Sequence, residues 1–260
     1  MTLSSADIEA LKTAKAYLEH PGLAAKISMV VGAPIEKSIA MLPERWRLLV
    51  NEAARKSIEK ALDVALWTLG PGKPGPPSNW WHKLAVGTTG AAGGALGWTA
   101  LAVELPVSTT IMLRSIADIA RSEGEDLSTA DARLQCLQVL ALGGRSSSDD
   151  AADAGYFAAR TAMAKAVSDA AAHLARRGLS DKGAPAIVRL ITQIASRFSI
   201  VVSEKAAAQM VPVVGAFGGA LINTMFIDHF QEMGRGHFIV RRLERLHDPE
   251  EVRHVYEAAL

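Results

Sequence analysis

The sequence predicts an all-α protein, a multi-helix bundle around a central glycine-rich apolar helical hairpin. Hydrophobic residues make up 49% of the chain and aromatics only 5%, so Ala, Leu, Val and Ile carry the apolar mass, as in packed helices. Apolar residues recur at spacings of three and four over residues 43–69, from Trp46 through Val50, Ala54, Ile58, Ala61 and Ala65 to Leu69. No segment alternates apolar and polar residues as a half-buried strand would.

In chain order, Ser4 and Asp7 form a capping pair for a first helix that should stop at His20-Pro21-Gly22. Pro34 and Pro43 read as first-turn prolines. The long amphipathic helix then runs from Pro43 to Leu69, with Glu52, Arg55, Lys56, Glu59, Lys60 and Asp63 on its polar face. The Pro/Gly-rich segment 70–79 can be neither helix nor central strand. The preceding helix has a wide apolar face that still needs a partner, so this segment reads as an internal loop of one domain, residues 1–260. Further helices are expected from about Pro106 to Ser122, from a Ser128–Asp131 cap to Gly143-Gly144, from near Ala151 to near Gly178, from about Ala184, around His237 to Leu246, and from Asp248-Pro249. The run 145–150 reads as a polar loop.

The two charge-free stretches are the most informative feature. Residues 84–103, 20 in all, and 206–227, 22 in all, carry no formal charge, and both reach the roughly 20 residues needed to cross a bilayer. Their composition argues against a simple transmembrane pair, because glycines fill the first and Gln209, Asn223 and Thr224 interrupt the second. Glycine costs about 1 kcal/mol in a helix relative to Ala, and close backbone approach is the usual reason to keep it. Gly90 with Gly94, Gly93 with Gly97, and Gly215 with Gly219 have small-xxx-small spacing and are expected to be helix-packing positions. Three readings stay open: a packed hairpin in a soluble bundle, insertion into or against a membrane, and a groove for a hydrophobic ligand. Pro106 and Pro212 each free a carbonyl four residues back and mark expected kinks. Glu104 borders the first stretch and needs a partner or a proton if buried, an Arg being the expected structural partner. Glu104, Pro106, Thr109, Asn223 and Asp228 are the candidate ligand-binding residues.

Composition excludes several classes. Lys plus Arg is 28 and Asp plus Glu 27, so no strong field gathers nucleic acid. The lone Cys136 has no internal disulfide partner and no zinc spacing, and reads as a small core residue. The first residues lack a signal-peptide pattern, so a non-secreted, cytoplasmic protein is expected. Asp228, His229, Glu232 and His237 form the densest group of metal-ligand types, but without metal spacing, and Gly234 and Gly236 are expected to break the helix before His237; no metal is expected. No G-x-S-x-G elbow and no phosphate loop ending in G-K-[ST] occurs, so catalytic residues stay unassigned and no cofactor is expected. Arg235, Arg241, Arg242 and Arg245 form a basic cluster, read either as a lipid-headgroup contact or as a solvated face paired to Glu232 and Glu244.

Taken together, Glu104-Leu105-Pro106 with Thr109-Thr110 and Ser115-Ile116-Ala117, then Gly143-Gly144, Asp149-Asp150 and Tyr156 with Arg160, resemble the EcsC family. Val211-Pro212-Val213-Val214-Gly215-Ala216, Asn223, His237-Phe238 and Arg241-Arg242-Leu243 extend the resemblance, which covers roughly Ala53 to Leu246. It implies a bacterial, helical, membrane-linked accessory protein whose family takes its name from a gene beside those of an ABC transporter. The partners it implies are a membrane surface or a membrane protein at the inner membrane. A soluble binder of a lipid or hydrophobic small molecule and a hydrolase with an unfamiliar site are the alternatives.

Overall fold

A computed structural model describes residues 3–19, 22–32, 35, 39, 43–68, 97–144, 155–178, 183–209 and 215–259. Among the described residues every regular element is a helix: α1 (Ser5–Glu19), α2 (Leu23–Val31), α3 (Glu44–Thr68), α4 (Gly97–Ser122), α5 (Ala130–Leu142), α6 (Tyr156–Arg177), α7 (Pro185–Gln209), α8 (Gly215–Leu246) and α9 (Pro249–Ala258). The caps follow local chemistry. Ser4 and Asp7 exchange the two bonds of a capping box, 3.0 Å from the Ser4 amide and 3.2 Å from the Asp7 amide. Asp248 accepts from the amides of Glu250 and Glu251 at the start of α9. Helix α5 starts one residue later than Ser128 implies, because Ser128 is drawn to Asp126 while Thr129 accepts from the Ala132 amide at 3.2 Å.

Helices α3 and α8 each pack on α4 and α7, α5 contacts all four and is buried along most of its length, and α6 packs on α5 and α7. A smaller cluster of Leu11, Ala14, Tyr156, Val240, Leu243, Val252 and Tyr256 joins α1 and α9 to the end of α8. Cys136 is a buried core residue, as expected, and burial pushes its thiol up to about 12.

Two boundaries differ from expectation. Pro106 lies inside α4, nine residues after its start, and Thr110 Oγ1 donates to the Pro106 carbonyl at 2.8 Å. Helix α8 runs unbroken for 32 residues through Gly234 and Gly236. A Cβ at Gly236 would meet Leu18 Cγ at 2.6 Å and the Ala14 carbonyl oxygen at 2.9 Å. The glycine therefore marks the close crossing of α1 over α8, and the packing outweighs its low helix propensity. Gly144 plays the same part beside α7, where a Cβ would lie 2.3 Å from the Arg197 carbonyl oxygen.

The proposed packing at Gly90, Gly93 and Gly94, the 70–79 loop and the 145–150 run lie outside the described residues. Gly97, Gly215 and Gly219 are helical, but what they face also lies outside them. The second charge-free stretch is divided between the end of α7 and the start of α8. One described helix is long and apolar enough to cross a membrane, Pro185–Gln209, and it is neither stretch alone; the same length and composition suit a core helix.

Candidate functional site

The contacts of α8 set the direction of the bundle. Asn223 on α8 shares a lysine with Glu104 on α4, Gly234 lies against Ile116, and Arg241, Arg242 and Arg245 reach Glu125 and Glu123 beyond the end of α4. Helices α4 and α8 are therefore parallel neighbours, and how most of the two charge-free stretches pack lies outside the described residues. Helix α7 packs on α8 and reaches α4 through Lys205, which meets the early turns of both.

That meeting point is the candidate site. Lys205 is fully buried, and its Nζ donates to Glu104 Oε1 and to Asn223 Oδ1, each at 2.8 Å. The ammonium also lies 4.7 Å from the centre of the Phe226 ring, within reach of the ring's negative face. Burial pulls the Lys205 pKa below its ordinary value, and the Glu104 carboxylate acts in the opposite direction. The glutamate side chain is 19% exposed, so the pair sits at the margin of the core. The structure thus brings Glu104 and Asn223 together, but through a lysine and not the expected arginine. Lys205 was missed as a site residue although it borders one charge-free stretch as Glu104 borders the other.

The remaining candidates are placed differently. Thr109 is buried one turn along α4 and returns its hydroxyl to the Leu105 carbonyl at 2.7 Å, which occupies it within its own helix. Pro106 is next to that carbonyl in sequence. Asp228 is exposed on α8 and is not part of the lysine cluster. Its metal-type neighbours separate: Glu232 pairs with Lys26, His229 faces the Gly143 carbonyl at 3.0 Å, and His237 faces the Tyr156 hydroxyl at 2.8 Å.

A second polar network closes the opposite end. Arg160 holds Glu244 through two bonds of 2.7 and 2.6 Å and reaches the Tyr156 hydroxyl at 3.4 Å, while that hydroxyl meets His237 Nδ1. Burial pushes Tyr156 up to about 12 and drives His237 well below the usual histidine range, with Arg160 and Arg241 adding to the shift of the imidazole. The ring is therefore neutral, and it shares one hydrogen with the Tyr156 hydroxyl through Nδ1. The C-terminal basic cluster is largely neutralised nearby: Glu125, 5% exposed, holds Arg241 at 2.7 Å and also Arg245, Arg241 reaches Asp131 at 3.3 Å, and Arg242 pairs with Glu123 at 2.8 Å. The pairing alternative was right in kind, but the carboxylates come from the α4–α5 turn and the start of α5, not from Glu232 and Glu244.

These features define an all-α bundle whose interior is tied by isolated polar clusters between helices. The chain belongs to the EcsC protein family, whose pattern matches residues 5–243. No curated protein and no solved structure matches it.

Proposed function

We propose that this EcsC-family chain is a membrane-associated accessory protein that works through contacts with a bilayer surface and a membrane-protein partner, of the kind an ABC transporter would offer. The observation that carries this reading is the unequal character of the two ends of the bundle. At one end Glu104, Lys205 and Asn223 stand where both charge-free stretches border the polar core, and from there α4 and α8 begin and α7 finishes. At the other, Glu123, Glu125 and Asp131 hold Arg241, Arg242 and Arg245, and His247 meets Asp7 at 3.3 Å. A protein that meets an apolar boundary at one end and water at the other has a use for this division, because apolar groups leave water readily whereas ion pairs do not enter lipid cheaply. Fractionation of bacteria expressing the chain tests the proposal. It should sediment with membranes and come off in alkaline carbonate, as a peripheral protein does; recovery wholly in the cytosol would contradict it.

A further inference from the structure

We propose that the docking surface is the first two turns of α3, and that its occupant is an anionic lipid surface; this rests on the membrane reading above. Helix α3 changes character along its length. From Glu52 onward its outer face is charged and internally paired: Glu52 with Arg55 at 3.0 Å and Lys56 at 3.4 Å, and Arg55 also with Glu59. Before that point the exposed large apolar side chains are Leu48, at 63%, and Leu49, at 54%, next to half-buried Trp46 and among exposed Glu44, Arg45, Arg47 and Asn51. Amphipathic patterning should have turned these two leucines inward or replaced them with charges. Helix α2, the preceding element, likewise ends on exposed large apolar residues, Met29 at 71% and Val30 at 57%.

The position of these turns follows from hydrogen bonding at the other end of α3. Arg133, at the start of α5, donates to the Leu66 carbonyl at 3.1 Å, and Asp131 beside it pairs with Arg241. The last turn of α3 therefore lies at the ionic end of the bundle. Leu48 is 18 residues earlier, or about 27 Å along a helix at 1.5 Å per residue. That places the exposed leucines at the end where α4 and α8 begin, and where Leu221, in the second turn of α8, is also 46% exposed.

The chemistry selects the occupant. Arg45 lies 5.3 Å from the Trp46 ring, and among the described residues Arg47 approaches only the exposed Glu44, at 4.0 Å. A tryptophan with arginines beside protruding leucines is the composition of an interfacial helix end, with the rings at headgroup depth, the leucines below and the guanidinium groups on the phosphates. Arg241, Arg242 and Arg245, held by carboxylates, are not available for that role.

Flotation of the purified full chain with vesicles of phosphatidylglycerol and phosphatidylethanolamine, and with phosphatidylcholine vesicles, tests this. The wild-type chain should float with the anionic vesicles and much less with the neutral ones. Leu48→Glu/Leu49→Glu should lower partitioning at least tenfold and Arg45→Gln/Arg47→Gln about tenfold on anionic vesicles only, while Val188→Glu, at an apolar site 47% exposed on the early turns of α7, should change nothing. Urea midpoints of the variants should match the wild type, since the residues are exposed. Flotation of Leu48→Glu/Leu49→Glu at the wild-type level overturns the docking surface and leaves the membrane reading standing. Failure of the wild-type chain to float overturns both. A wild-type dimer split by Leu48→Glu/Leu49→Glu, without flotation, assigns the surface to a second copy and overturns the lipid proposal.

Discussion

Replacing Glu104 by leucine isolates a charge that the fold cannot easily hydrate. Lys205 is fully buried and 2.8 Å from the Glu104 carboxylate, so the variant leaves an ammonium with Asn223 Oδ1 as its remaining hydrogen-bond acceptor among the described residues. Removing one partner of a buried pair costs about 3–5 kcal/mol. Glu104 is 19% exposed, so some water reaches the gap, and the lower end of that range, about 3 kcal/mol, is expected. The lysine can also escape by losing its proton, which from an ordinary value of 10.5 costs about 5 kcal/mol at pH 7 and so caps the penalty. At about 2–4 °C per kcal/mol for a chain near this size, Glu104→Leu should lower Tm by roughly 6–12 °C. Lys205→Met should cost less, because the stranded carboxylate keeps its access to water, and the double variant should be less destabilised than Glu104→Leu alone, since an apolar pair of similar volume substitutes well for a buried ion pair. Urea unfolding midpoints of the four proteins give the coupling. The pH dependence adds a sign. Below 10.5 the unfolded chain binds a proton on Lys205 that the folded variant releases, so Glu104→Leu should regain stability as pH rises above 7, more than the wild type does. Additive single effects, within about 0.5 kcal/mol, would refute the claim that the pair acts as one unit.

Other outcomes follow from the same interior. Gly234→Ala and Gly236→Ala, two residues apart on α8, should differ in sign: the first meets Ile116 at an ordinary 3.5 Å and should gain up to about 1 kcal/mol from helix propensity, whereas the second meets Leu18 and the Ala14 carbonyl below 3.0 Å and should lose about 1 kcal/mol or more, as melting curves will report. Burial lowers His229 to about 4 against an ordinary 6.5, so between those values the unfolded chain binds a proton that the folded one refuses. Stability should therefore fall as pH drops from 6.5 to 4, by about 3 kcal/mol from this group, and His229→Gln should flatten that part of a urea–pH series. Tyr156→Phe removes the partner of His237 Nδ1 in a ring whose Nε2 already has none, and should cost about 1–3 kcal/mol at neutral pH in the same unfolding assay. Glu125→Ala should release Arg241 and Arg245, lowering the urea midpoint and raising retention on an anionic resin.

Much of the fold was legible because it is written in local signals. The Ser4–Asp7 box, the Asp248-Pro249 start and the stops at Gly124, Gly143 and Gly178 each act within a few residues, and each stands where the sequence puts it. What was not legible depends on contacts far along the chain. Gly234-Arg235-Gly236 reads as a helix break in isolation, yet α8 passes through it because α1, more than 200 residues away, needs the space at Gly236. Pro106 reads as a helix start, yet residues from Gly97 onward are already helical in α4. At Gly236 intrinsic propensity was a weaker term than packing.

The candidate site shows where sequence reasoning can reach further. Glu104 ends one charge-free stretch and Lys205 begins the other, and two opposite charges at the edges of two apolar segments are the natural pair if those segments lie together. Expecting an arginine ignored the geometry of the space: three helices converge on one nitrogen, which a compact ammonium can serve with tetrahedral donors to Glu104, Asn223 and the Phe226 face. A planar guanidinium would suit the open carboxylate of Glu244, where Arg160 in fact sits with two parallel bonds. The choice of cation thus follows from how many helices meet at the charge. Lys205→Arg should therefore destabilise the bundle by overfilling the junction, typically by about 1–3 kcal/mol, although the charge is retained. A wild-type urea midpoint for Lys205→Arg would mean that charge alone, and not the shape of the three-helix junction, defines the site.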